Sequence, residues 1–550
     1  VPIIGHLRKN ASSYPREVAL VEINHDRQEE HRADWRDSTV DLSDNLGPYR
    51  REITWKAFDE AASRFANLLI SRGITKGDRV GILMMNSIEW LPMYFGVLKS
   101  GAVVVPLNFR YTAVEIEYCV DLADVEVLVF GPEFVDRLAL IAPTLRKGRL
   151  LFFVGDGCPE FAEDCRQLSS LVCGEDPGIP LSDDDDAAIY FSSGTTGFPK
   201  AILHTHRSLS HSAVVEQKHH GQTHDDVFLC IPPLYHAGAK MHWFGSLITG
   251  GKAVLLRGVS PETIFRAVDE EGCTNVWLLV PWAQDILLAI ERGELDPADY
   301  DLGRWRIMHI GAQPVPESLI RRWKEVFPDH LYDTNYGLSE AIGPGCVHLG
   351  VENIDHVGAI GRAGYGWQTR VVDEKMNDVE PGECGELAVK GAGVMTCYYK
   401  NPEATAEVLV DGWLLTGDVA RQDADGFLWL VDRKKDVIIT GGENIYPVQV
   451  ESFLASHPGI KDVAVIGLPD ERLGEIAVAI VEARPGVGLC EESIVDFCAG
   501  IPRYKRPRRV IFADVPRSAT GKIDKPLLRT RHAASSTDQN PRQGKAFIHD

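Results

Sequence analysis

Between residues 54 and 105 the apolar positions follow two periods in alternation. Helix-period segments are separated by short apolar runs, VGILM at 80–84 and AVVVPL at 102–107, that read as strands. The same alternation returns at VEVLVF (125–130), AVLL (253–256), NVWLLVP (275–281) and RIMHIGA (306–312), each preceded by about a dozen residues of helical pattern. Apolar strands alternating with helices predict a large doubly wound α/β region. After about residue 365 the pattern changes to short strands broken by Gly and Asp: TRVVD, GELAVKG, GWLLTGD and GFLWLVD. These predict a small β-rich subdomain. Beyond the charged run 432–436 come a helix (448–457), two strands (462–468 and 475–483), a helix (491–500) and a strand (508–514), the pattern of a compact α+β unit. The expected division is therefore a domain of residues 1–432 and a smaller one of 433–550. Its tail, 531–550, is polar, lacks periodicity and is expected to be loosely ordered.

Composition narrows the function. A chain of 550 residues with 44% hydrophobic content can build more than one core. Its net charge of −22 repels polyanions, so nucleic-acid binding is not expected. The one dense basic run, RYKRPRR at 503–509, reads as a phosphate contact or a solvated strip. Eleven cysteines without a CxxC pair read as reduced thiols of a cytoplasmic enzyme. No apolar run approaches the ~20 residues of a membrane helix, so no membrane span is expected. Histidines crowd between His204 and His242, but none stands in a recognised ligand spacing, and no metal cluster is expected there.

The stretch FSSGTTGFPKA, 191–201, points to phosphate. Gly194 and Gly197 free the backbone to present N–H groups, Ser192, Ser193, Thr195 and Thr196 add hydroxyl donors, and Lys200 adds a charge. Pro199 between the second glycine and the lysine departs from the Walker pattern, which disfavours a kinase-type loop. Further along, Tyr336 offers an aromatic face and Glu340 a carboxylate suited to magnesium. Asp418 follows a Gly turn where a carboxylate can take ribose hydroxyls, and Lys522 follows a Thr-Gly turn on a loop able to reach a phosphate.

In their order, SSGTTGFPKA, PPLYHAG, NYGLSE, TGD, DRKKD, GGENIYP and TGKIDK resemble the adenylate-forming superfamily, which holds acyl-CoA synthetases, luciferases and peptide-synthetase adenylation domains. The resemblance runs from about residue 50 to 530, with Ala201 where the family usually has Gly and Asn335 where a small residue usually precedes the Tyr. It implies ATP, magnesium and coenzyme A. The Ser192–Gly197 loop and Lys200 would hold phosphates; Gly311, Ala312, Gln313, Asn335, Tyr336, Gly337 and Ser339 would frame the adenine, and Glu340 with Thr195 the magnesium. Asp418 and Arg433 would clasp the ribose, and Lys522 would bridge the acid and the α-phosphate. Lys435 would be a hinge, making the C-terminal domain a mobile lid. Gly441, Gly442, Glu443 and Asn444 would line the pantetheine path, and His236 would stand at the acyl site with a catalytic role.

The segment expected to line the acyl pocket, 232–251, contains no Asp or Glu, so an amino-acid substrate, whose ammonium would need a carboxylate, is disfavoured. Trp243, Phe244, Trp277 and Trp282 either narrow that pocket or pack the core. Lys240 reads as a snorkelling surface lysine, the alternative being a partner for a second charge on the substrate. The expected reaction is AMP-forming thioesterification of a short, medium-chain, cyclic or aromatic acid with coenzyme A. A long-chain acid, a luciferase-like oxygenase and a non-catalytic nucleotide binder are the alternatives, and assembly stays open between a monomer and a homodimer.

Overall fold

A computed structural model describes residues 1–25, 32–34, 49–145, 149–192, 199–311, 315–440, 443–470, 472–484, 486–517 and 523–533. The chain divides into two compact units. The first comprises 1–370, 388–415 and 426–428; the second comprises 371–387, 416–425 and the chain from Trp429 on.

Among the described residues, the first unit holds two eight-stranded sheets. One runs in the spatial order Leu331–Asp333, Ile307–Gly311, Asn275–Leu279, Val227–Cys230, Lys252–Arg257, Val18–Asn24, Arg50–Thr54, Arg32–Asp34. From its first strand to Val18–Asn24 every neighbouring pair is parallel. The other is built around Val103–Pro106, Arg79–Leu83, Val125–Phe130 and Leu150–Phe153, again parallel, with Asp186–Ser192 and Lys200–Thr205 joined as an antiparallel pair toward one edge. Parallel strands buried on both faces need unbroken apolar runs. That is why VEVLVF and AVVVP form them, every residue of Val103–Pro106 being buried.

Helices fill the crossovers. Trp55–Ser71 starts where the Thr54 hydroxyl accepts from the Ala57 N–H, and it buries Trp55, Phe58, Phe65 and Leu69. Trp90–Lys99 is buried along its whole length, including Lys99, whose ammonium pairs with Asp59 and Asp176. Ala237–Thr249 ends on Gly250 at φ 78°, a left-handed cap that suits glycine. Together these helices build one aromatic core of Phe58, Tyr94, Phe95, Trp243 and Phe244.

In the second unit the hairpin Ile460–Asp470 and Gly474–Ala483 is antiparallel, with Arg509–Phe512 added in parallel. Val450 and Leu454 of the helix Pro447–Ala455 cover one face together with Ile494; Leu528 of the helix Lys525–Ala533 covers the other. This is the expected α+β arrangement. Among the described residues no helix is long and apolar enough to cross a membrane.

Candidate functional site

Ser193, Gly194, Thr195, Thr196, Gly197, Ala312, Gln313, Gly441, Gly442 and Lys522 lie outside the described residues. The base of the expected phosphate loop is described: Ser192 and Lys200 face each other as register partners where the two antiparallel strands meet it. The Lys200 ammonium sits 4.6 Å from the centroid of the Tyr398 ring. The Tyr398 hydroxyl donates to Glu340 Oε1 at 2.9 Å. Burial and then the neighbouring Glu340 carboxylate push the Tyr398 pKa up, so the phenol remains a donor. Glu340 is fixed from behind as well, its carbonyl accepting from the Met395 N–H at 2.8 Å. Its neighbour Ser339 presents a carbonyl to His204 Nε2 at 2.8 Å. Burial lowers the His204 pKa to about 4, so the ring is neutral and carries its proton on Nε2 for that bond. Lys200 and His204 are four apart on one strand and share its face. One strand thus aligns the end of the loop with the turn that carries Glu340. Tyr398, which links them, has no mark in the sequence beyond an aromatic pair after Cys397.

Gly311 ends the parallel strand Ile307–Gly311, at the carboxyl edge where such sheets take ligands. Beyond its chain neighbours, an added Cβ there would first meet His309 Nε2 among the described residues, at 3.8 Å. Tyr336 is buried and its carbonyl accepts from Cys346 Sγ at 3.1 Å, while Gly337 is exposed. Asn335 donates to Glu216 Oε1 at 3.1 Å. Glu216 belongs to a buried group that the sequence did not announce: Glu216, His220, His309, Asp333 and His348 converge beneath this edge. Asp333 is held well below the carboxylate range; burial opposes its charge, but His348, His220 and His309 outweigh it. Burial likewise opposes a charge on His348, yet Asp333 and Glu216 push its pKa up to about 10.

His236 precedes the helix Ala237–Thr249, half-buried, its ring 4.3 Å from that of Tyr235. Trp282 is half-buried on the helix Val280–Glu291. Trp243 is fully buried against Phe58, Phe95 and Phe244, and the structure gives it a packing role. Lys240 corrects the sequence reading: it is not a snorkelling surface lysine but is wholly buried. Its nitrogen donates to the carbonyls of Leu234 at 2.6 Å and His236 at 3.1 Å, and lies 4.6 Å from the Tyr190 ring centroid. Burial drives its pKa well down. Two of its N–H groups are thereby matched by carbonyls.

In the second unit, Arg433 Nε lies 3.3 Å from Asp418 Oδ1, so the two residues expected at a ribose are neighbours. The adjoining turn is held by the Gly417 N–H on Glu386 Oε1 at 2.9 Å, and Lys434 pairs with the same carboxylate, also at 2.9 Å. Lys435 and Glu443 are exposed, and partial desolvation lowers the Lys435 pKa. A separate cavity of about 380 Å³ is lined by Glu22, Arg51, Glu89 and Arg257, among others, and includes none of the expected site residues. Arg51 is ion-paired there with both Glu22 and Glu89.

Residues 9–399 match the family of AMP-binding enzymes, and residues 449–522 match the AMP-binding enzyme C-terminal domain. The chain is 33% identical over 486 residues to the long-chain-fatty-acid–CoA ligase FadD13 of Mycobacterium tuberculosis, covering 88% of this chain and 94% of the relative. It is 35% identical over 483 residues to a feruloyl-CoA synthase of Amycolatopsis sp, covering 87% and 94%. In structure it is similar to ATP-bound MatB from Rhodopseudomonas palustris, with a TM-score of 0.81 at 26% identity over 97% of this chain and 99% of that one.

Proposed function

The chain belongs to the family of AMP-binding enzymes, and from that membership we propose an AMP-forming acyl-CoA ligase whose acid has an uncharged tail of short to medium length or carries one ring. The observation that carries the phosphate site is the chain of contacts from Lys200 through Tyr398 to Glu340 at the base of the loop.

A carboxylate is a poor acyl donor because its leaving group would be oxide. ATP converts that oxygen into part of a phosphate ester: the carboxylate attacks the α-phosphorus, pyrophosphate departs, and an acyl-adenylate forms. Two anions approach each other in this step, so the protein's main task is charge neutralisation and in-line placement. Lys200 and the loop hold the phosphates, and Lys522 faces the reacting carboxylate. Glu340 is a hard oxygen donor already oriented by Tyr398, which fits it to hold magnesium. When bound, that ion supplies neutralisation of phosphate charge. Asp418 and Arg433 clasp the ribose. In the second step a thiol displaces AMP at the acyl carbon. The departing pyrophosphate and the incoming thiol need the same centre from different sides, and rotation of residues 433–550 about Lys435 provides both arrangements.

The absence of Asp and Glu from 232–251 favours an uncharged tail, and the half-buried Trp282 at the expected pocket favours a compact one. The relative named for long-chain fatty acids favours a longer alkyl tail. AMP release with coenzyme A, measured for benzoate, cyclohexanecarboxylate, octanoate and palmitate, decides between them. The expected result is a higher kcat/KM for one of the first three. A clear preference for palmitate rejects the compact pocket, and ADP as the product rejects the reaction.

A further inference from the structure

The strands Ile307–Gly311 and Leu331–Asp333 pair in parallel with His309 opposite Asp333, which puts both side chains on one face of the sheet. His220, the residue that closes the helix His206–His219, enters from that side. His220 Nε2 lies 2.8 Å from Asp333 Oδ2 and 3.2 Å from His309 Nδ1, and His309 Nδ1 lies 3.2 Å from the same carboxylate oxygen. A proton bridges two atoms. Two imidazole nitrogens and one oxygen around a single focus form a tripod instead.

Metal–ligand distances of about 2.0–2.2 Å in a tetrahedral site imply about 3.3–3.6 Å between donor atoms. The three observed separations reach that spacing if the tripod opens by a few tenths of an ångström, roughly the difference from this ideal. Glu216, one helical turn before His220, brings Oε2 to 3.8 Å from His220 Nε2. His348 joins the two carboxylates from outside, with Nδ1 3.3 Å from Asp333 Oδ1 and Nε2 3.5 Å from Glu216 Oε1. That is the position of an outer group that orients ligands.

Glu216 and Asp333 are both completely buried. Mixed imidazole and carboxylate donors favour zinc-like transition metals over magnesium or calcium.

We propose that His220, His309 and Asp333 form a three-residue site for one divalent transition metal, zinc being the ion assigned. The bound ion would tie the His220 helix to the strands that end at Gly311 and lead into Asn335–Tyr336. That it thereby braces an adenine slot rests on the proposed ligase function; the metal site itself does not.

The test uses the full chain purified without a metal-affinity tag, stripped with chelator and loaded with zinc or cobalt(II) in the absence of nucleotide. The expected result is one tightly held equivalent of zinc by elemental analysis after gel filtration, together with the intense visible absorption of tetrahedral cobalt(II). His309→Gln and Asp333→Asn should each lose the absorption, while His348→Gln should weaken affinity about 10–100-fold and keep the stoichiometry. Wild-type uptake no greater than that of His309→Gln, or cobalt bound without a tetrahedral spectrum, overturns the proposal. Should the ligand variants fail to fold, the wild-type stoichiometry and spectrum decide alone. Because no substrate is present, failure here is distinct from failure of the ligase reading.

Discussion

Burial raises the pKa of Asp432 from 3.8 to about 6, although Lys525 and the N–H groups of Val448 and Arg433 pull the other way. The folded-state value exceeds the unfolded one, so the protonated carboxyl favours folding. That contribution is complete below about pH 3.8 and is lost as pH rises through about 6; a shift of this size corresponds to about 3 kcal/mol. Asp432→Asn, which cannot ionise, is therefore expected to gain stability relative to the wild type as pH rises from 5 to 7.5. Urea denaturation of both proteins at the two pH values checks this, and a difference independent of pH would count against it. Lys200 and Glu340 were singled out by the joint order of the motifs, each being weak alone, and the structure joins them through Tyr398. The burial of Lys240 was not legible: its aromatic neighbours Trp90, Tyr94 and Tyr190 come from distant segments, so the sequence around it carries no sign of burial. The His220 group was hidden for the same reason, its members being joined by strand register and not by local spacing.

Elements were legible where the apolar pattern was strong and local. VEVLVF is the strand Val125–Phe130, and the helical pattern after 447 is the helix Pro447–Ala455. The helix Lys525–Ala533 had no such mark, since KPLLRTRHA is mostly polar and its packing rests on Leu528 beneath the hairpin. The turn Lys434–Asp436 is the element on which the second half-reaction is expected to depend. The Val448 N–H donates to Asp432 Oδ2 at 2.8 Å, a contact between residues on either side of the proposed hinge. Lys435→Pro fixes φ at that position and restricts Lys434 before it. The variant is expected to catalyse acid-dependent pyrophosphate exchange at a rate near wild type, yet to form thioester from preformed acyl-adenylate at least about tenfold more slowly, a barrier change of about 1.4 kcal/mol. Equal losses in both assays would refute a hinge at this residue.

At the scale of the molecule, the chain passes between its two compact units at 370/371, 387/388, 415/416, 425/426 and 428/429. No local composition change marks these passages, because each falls in or beside a strand or short turn of the β-rich segment. A fragment ending at residue 432 should accordingly keep the first unit folded but leave 371–387 and 416–425 without the rest of theirs. Limited proteolysis of that fragment is expected to cut within 371–425 under conditions in which the full chain is resistant; equal resistance would show that these strands need nothing beyond 432.

The pairing of Leu20 with Ala253 also sets a timetable for birth on the ribosome. Translation at about 5–20 residues per second separates these two strands by roughly 10 to 50 s. During that interval the parallel edge of Val18–Asn24 has no neighbour, although Ala19, Leu20, Val21 and Ile23 are completely buried once the fold is finished. The nascent polypeptide thus carries a sticky early strand until Lys252–Arg257 has been made, so the pace of translation between the two strands sets how long that edge stays open.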